Sequence, residues 1–137
     1  QRQILTQILQ LQAALGFAIV FVTHDLSLLL EISDRIAIMY AGRIVEIGMP
    51  EQLYADPQHP YTLGLLSSIP RLDADIGRLP TIRGSVPAPA DMPQGCRFST
   101  RCPFAVDKCR TEEPPLADLS PGHAVACWRA PLEERAA

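Results

Sequence analysis

An α/β fold that ends in antiparallel strands, followed by a small irregular cysteine-rich lobe, is the architecture that the 137-residue sequence predicts. Three observations predict it. A helix-period apolar pattern over residues 2–15 runs straight into the continuous apolar stretch Phe17-Ala-Ile-Val-Phe-Val22. Two strand-like segments, 35–40 and 43–47, are separated only by Ala41-Gly42. All 13 prolines lie between Pro50 and Pro131 and all 4 cysteines between Cys96 and Cys127, so regular structure gives way to short, turn-bounded elements.

Ile4, Ile8, Leu11 and Leu15, with Leu5 and Leu9 beside them, recur at helical spacing among glutamines. That pattern predicts a helix from Arg2 to Leu15. Gly16 suits its C-terminus, because glycine adopts the left-handed conformation that closes a helix. Phe17 to Val22 is apolar on both faces, which is how a buried parallel strand covered by helices on each side reads. After Thr23-His24-Asp25, the stretch Leu26 to Ile32 has helical length, with Asp25 or Thr23 as N-cap. Arg35 to Tyr40 and Arg43 to Ile47 then pair as a tight hairpin, with Gly42 second in its loop. Helix, strand, helix and hairpin in this order describe the end of an α/β sheet domain.

Composition excludes several classes. Twelve basic residues against 15 acidic ones give a net charge of −3, which excludes a nucleic-acid-coating surface. Phe17 to Val22 is too short to cross a bilayer. Nothing resembles collagen or a coiled-coil rod. The chain begins with Gln1 and carries no basic-then-apolar leader, so a piece of a longer protein is expected.

The sequence divides into four parts: 1–49, the end of the α/β domain; 50–93, a helical and Pro-rich connector; 94–128, a four-cysteine lobe; and 129–137, a tail. Within the connector, Arg78 to Ser85 and Pro87 to Pro93 read as extended. Leu132 to Ala137 reads as disordered.

The cysteines stand as Cys96-x5-Cys102-x6-Cys109-x17-Cys127. Disulfides would suit a small secreted domain, but the first third has a cytosolic character, where thiols stay reduced. Structural zinc sites usually show Cys-x2–4-Cys pairs, and no pair here is that close. An iron–sulfur cluster also takes four thiolates and tolerates wider spacing. Spacing leaves zinc and iron–sulfur both open, beside four unmetallated cysteines. Arg97, Arg101, Lys108 and Arg110 against the one nearby acid, Asp107, tilt the balance slightly towards an anionic cluster.

His24 is the candidate catalytic residue. It sits just past the carboxyl end of the predicted strand, where open α/β sheets bind their ligands. An imidazole there can donate to a phosphate oxygen. From position alone, a polar residue ending a strand is the plainer reading. The local string adds to it. Ile19-Val-Phe-Val-Thr-His-Asp-Leu26, Ser33-Asp-Arg-Ile-Ala-Ile-Met39 and Gly42-Arg-Ile-Val-Glu-Ile-Gly48 together resemble the end of an ABC-transporter nucleotide-binding domain, a fold of the P-loop NTPase type. The resemblance implies that His24 is the switch histidine that contacts the γ-phosphate of ATP.

Residues 48–66, which include His59-Pro-Tyr-Thr62, are similar to a segment of the ATP-binding subunits of dipeptide, oligopeptide and nickel importers. Read from the residues, His59 starts a helix that Pro60 pre-sets, while Tyr61, Leu63, Leu65 and Leu66 supply core. Gly95-Cys-Arg-Phe98, Arg101-Cys-Pro-Phe-Ala105, Cys109 and His123-Ala-Val-Ala-Cys127 resemble the C-terminal extension of those subunits. That resemblance implies a [4Fe–4S] cluster on Cys96, Cys102, Cys109 and Cys127, with zinc as the alternative metal and His123 structural.

The resemblance runs from Arg2 to about Trp128. It implies ATP with Mg as cofactor in the intact subunit. The implied partners are a second ATP-binding subunit, two transmembrane permease subunits and, through them, an extracytoplasmic solute-binding protein, with no nucleic acid. It places the protein peripherally on the cytoplasmic face of a bacterial or archaeal membrane. A stand-alone iron–sulfur or zinc regulatory or interaction module without ATPase activity is the alternative.

No Gly-x-x-x-x-Gly-Lys-[Ser/Thr] loop, ABC signature or Walker B segment occurs in the 137 residues. This chain alone is therefore expected not to turn over ATP. Phosphate release above a protein-free control, abolished by His24→Ala, is the result that contradicts this.

Overall fold

The computed structural model describes residues 2–69 and 82–132. Helix α1 (Arg2–Leu15) forms where the apolar period places it, and Gly16 closes it with φ of +71° and an N–H donated to Gln12 O at 2.8 Å. Helix α2 (Leu26–Ile32) starts at Asp25, whose Oδ1 accepts from Leu28 N at 3.1 Å.

The strand expected between these helices is not formed. Phe17 to Val22 joins no ladder among the described residues, and Val20 and Val22 are 89% and 95% exposed. A central strand takes its hydrogen-bond partners and its cover from neighbours. None of the described strands lies beside this segment. The apolar stripe of α1 is likewise unburied.

Strands β1 (Ile36–Tyr40) and β2 (Arg43–Gly48) form the predicted hairpin, with Tyr40 opposite Arg43. Its two loop residues both have positive φ, +47° at Ala41 and +77° at Gly42, as a type I′ turn requires. β1 alternates strictly, so Ile36, Ile38 and Tyr40 point inward while Ala37 and Met39 point out. Helices α3 (Pro50–Ala55) and α4 (Pro60–Ser67) follow, each with Pro at its first position. Residues 82–93 contain only a short 3₁₀ turn at Pro89–Asp91, and 70–81 of the predicted connector lie outside the described residues. Helix α5 (Asp107–Thr111) and strands β3 (Ala117–Ser120) and β4 (His123–Val125) complete the chain.

Residues 94–128 do not make the separate irregular lobe that the sequence predicts. β4 pairs antiparallel with β2, Glu46 facing Val125 and Ile47 facing Ala124, so the sheet runs β1-β2-β4-β3. Ala126 N extends the ladder to Val45 O at 2.8 Å. The core is shared too. Phe98 packs with Ile36, Ile38, Tyr40, Val45 and Leu53 in one buried cluster. Its ring lies 5.1 Å from Tyr40 and 5.5 Å from Tyr61, centroid to centroid, at tilted or edge-on angles that aromatic pairs favour. The 94–128 segment has too few aliphatic side chains to bury a core of its own, so it completes the hairpin's core instead.

The disordered tail expected from Leu132 also needs correction. Leu132 is buried and its N–H donates to Gln58 Oε1 at 2.8 Å, while 133–137 lie outside the described residues. None of the described helices is long and apolar enough to cross a membrane.

Phe98→Ala is expected to destabilise the hairpin together with the cysteine segment, by about 3–5 kcal/mol. Denaturant unfolding followed by far-UV circular dichroism measures it. A loss below about 1 kcal/mol contradicts a shared core.

Candidate functional site

Two groups of candidate residues occupy different places. His24 is exposed in the bend between residues 17–22 and α2. It borders an open cavity of about 550 Å³ between α1 and α2, with Arg2, Leu5, Ile8, Asp25 and Leu28 among its lining. Thr23 Oγ1 accepts from Asp25 N at 3.1 Å, and Asp25 caps α2, so the loop that carries the imidazole is fixed on its C-terminal side.

The four cysteines are free thiols. Gly95 lets the backbone before Cys96 approach that of Cys109: a Cβ there would collide with the Cys109 and Arg110 backbone. Cys96 N donates to Cys109 O at 2.7 Å across that approach. Burial pushes the Cys102 thiol up to about 11, and negative charge on Cys127, Cys96 and Cys109 pushes the same way. Burial also raises Cys96 and Cys127, with Cys109 a like-charge neighbour of each. All four sulfurs thus lie within electrostatic reach of one another.

Backbone N–H groups oppose these shifts. Phe98 and Ser99 donate towards Cys96, Phe104 towards Cys102, and Arg129 and Ala130 towards Cys127. The Arg129 N to Cys127 Sγ distance is 3.3 Å. In each case the N–H two residues after the cysteine points at its sulfur, an arrangement that favours the thiolate. Burial outweighs them, so each of these three thiols stays above its ordinary value. Among the described residues no three His, Cys, Asp or Glu side chains converge tightly enough to hold a single metal ion.

The basic side chains near the cysteines have other work. Arg97 Nη1 donates to Ala41 O in the hairpin turn. Arg101 donates to Arg83 O, Gly84 O and Tyr40 Oη. Lys108 sits 3.7 Å from the Trp128 ring centroid, and Arg110 pairs with Asp107 at 3.3 Å. They tie the segment together and to its surroundings.

Sequence reasoning missed a fully buried carboxylate. Glu46 is fully buried on β2. Its Oε1 accepts from Gln58 N at 2.8 Å and meets His123 Nε2 at 2.7 Å, while its Oε2 accepts from His59 N at 2.9 Å. The available signal was a carboxylate in the apolar run Arg43-Ile-Val-Glu-Ile47 where alternation fails, Ile44 being exposed and Glu46 buried. His123 is buried, with its Nε2 against Glu46. His59 caps α4, its Nδ1 accepting from Tyr61 N at 3.1 Å.

Residues 45–109 match the family model described as oligopeptide/dipeptide transporter, C-terminal region. A peptide import ATP-binding protein of Brucella ovis is 47% identical over 130 residues, covering 94% of this chain and 41% of that protein. Oligopeptide transport ATP-binding protein AppD of Bacillus subtilis is 44% identical over 128 residues, covering 93% of this chain and 39% of that protein. The chain thus spans about two fifths of the length of these relatives. The mixed α/β fold and these matches make the chain similar to one class, the C-terminal region of an ABC-transporter ATP-binding subunit. Within that class the matched family is that of the oligopeptide/dipeptide transporters.

Burial holds His59 neutral by lowering its pKa from 6.5 to about 4. The unfolded chain binds this proton below pH 6.5 and the folded one only below about 4. Stability from this group is therefore complete above pH 6.5 and is lost as pH falls towards 4. His59→Asn keeps a helix-capping side chain and should flatten the fall in thermal midpoint between pH 6.5 and 4. An unchanged slope contradicts this account.

Proposed function

We propose that the intact protein is the ATP-binding subunit of an ABC importer for di- and oligopeptides, and that this chain is its C-terminal part. The observation that carries the reading is the 47% identity across 94% of the chain to a peptide import ATP-binding protein. In this reading two such subunits close on ATP and reopen on hydrolysis. That cycle drives two transmembrane permease subunits to pass a peptide delivered by an extracytoplasmic binding protein. The subunit sits peripherally on the cytoplasmic face of the membrane.

His24 is the proposed contact to the γ-phosphate of the Mg-bound nucleotide. Its exposure beside an open cavity, on a loop fixed by the Asp25 cap, supports that role. A phosphate donor at this point stabilises charge that develops during phosphoryl transfer.

Cys96, Cys102, Cys109 and Cys127 are the proposed ligands of a [4Fe–4S] cluster. Support comes from the mutual electrostatic reach of the four thiols and from the N–H groups aimed at three of them. Hydrogen bonds to the sulfurs tune such a cluster. When bound, the cluster supplies a covalent cross-link among four points of the chain and a one-electron couple.

In the full-length subunit, His24→Ala should lower ATP turnover about a hundredfold or more while sparing much of nucleotide binding. Unchanged turnover contradicts the assignment. Protein purified without oxygen should carry about four irons per chain. Stoichiometric zinc with no iron, after expression with iron supplied, contradicts the cluster.

A further inference from the structure

We propose that Thr23 and Asp25 are positioning residues for His24, clasping the chain that carries it so that the imidazole is in place before the nucleotide arrives. The proposal rests on the reading of His24 as the γ-phosphate contact.

His24 is the middle residue of the clasp. Thr23 Oγ1, on one side of it, accepts from Asp25 N, on the other, at 3.1 Å, which closes a turn over the histidine backbone. Asp25 Oδ1 in turn accepts from Leu28 N at 3.1 Å and so starts α2. Among the described residues no hydrogen bond or ion pair holds the His24 ring. The backbone that carries the ring therefore places it, at the edge of the cavity between α1 and α2.

The two sides of the clasp are unequal. Towards the N-terminus, Phe17 to Val22 joins no ladder among the described residues, and Val22 is exposed. Towards the C-terminus, α2 is closed by Ser33 N donating to Leu29 O at 3.0 Å. Its Leu26, Leu29 and Leu30 pack against the buried cluster that contains Ile36, Ile38 and Tyr40. The hold on His24 thus runs from the hairpin core through α2 to the Asp25 cap, and the Thr23 hydroxyl carries it across the histidine. Placement of this kind matters for phosphoryl transfer, because a donor stabilises developing charge by being fixed beforehand. A displacement of about 1 Å costs on the order of a hundredfold in rate.

Steady-state kinetics of the full-length subunit, and relaxation of its isotope-labelled histidines without nucleotide, test this. Asp25→Ala and Thr23→Val should each lower kcat about tenfold or more, with KM for ATP changed less than about twofold. Asp25→Asn and Thr23→Ser keep the accepting oxygen and should recover most of that loss. The His24 amide signal is identified by its disappearance in His24→Ala. Its order parameter should be about 0.85 in the parent protein and below about 0.6 in Asp25→Ala and Thr23→Val. Thr23→Val leaves the α2 cap in place, so it serves where Asp25→Ala does not fold. An unchanged order parameter, or a loss of kcat that Asn and Ser do not recover, overturns the positioning. His24→Ala separates the two readings. Unchanged turnover there removes the γ-phosphate contact itself, whereas turnover lowered there but intact in Asp25→Ala and Thr23→Val overturns only the positioning.

Discussion

Phe98 stands on the cysteine segment, yet its ring fills the core of the β1–β2 hairpin, against Ile36, Ile38, Tyr40, Val45 and Leu53. Each side lacks something without the other. The hairpin alone is two strands, and an isolated two-stranded hairpin is marginal in water. The segment alone has too little apolar surface to offset the entropy of ordering about 35 residues at roughly 1–2 kcal/mol each. Joining them gives a four-stranded sheet and one aromatic cluster. The other features of the C-terminal half hang on this contact.

The polar interior follows from the same geometry. Once β4 lies on β2, Glu46 is shut off from solvent, and three donors must reach it. His123 supplies one and the Gln58-His59 turn supplies two, which fixes where α4 begins. His59 then has its ring buried and neutral while its Nδ1 caps the helix. Of the four thiols, Cys96 and Cys102 pack against the hydrophobic cluster. Core, buried carboxylate and thiol set are therefore one arrangement viewed at three points.

Much of this was legible in the residues, and the gaps have physical causes. Both N-terminal helices, the Gly16 and Asp25 caps and the Ala41-Gly42 hairpin rest on local rules, and they stand where those rules put them. The apolar run Phe17 to Val22 carries the composition of a central strand, but composition cannot supply the flanking strands that such an element needs. β3 and β4 are too short, at four and three residues, to show a period, and β4 is buried at every position. The pairing of β4 with β2 spans more than 70 residues of sequence, a distance that no local pattern reports. Of the candidate residues, the cysteines were visible as a set. Glu46 was not, because its importance lies in partners brought to it from residues 58, 59 and 123.

The central claim is that hairpin and cysteine segment unfold together. The most direct test follows denaturation of the purified protein by two probes at once: Trp128 fluorescence for the segment, and backbone resonances of Ile36 to Tyr40 for the hairpin. The account predicts coincident transitions with one midpoint. A Trp128 transition completed while β1 remains native would contradict it, and would return residues 94–128 to the status of a separate lobe.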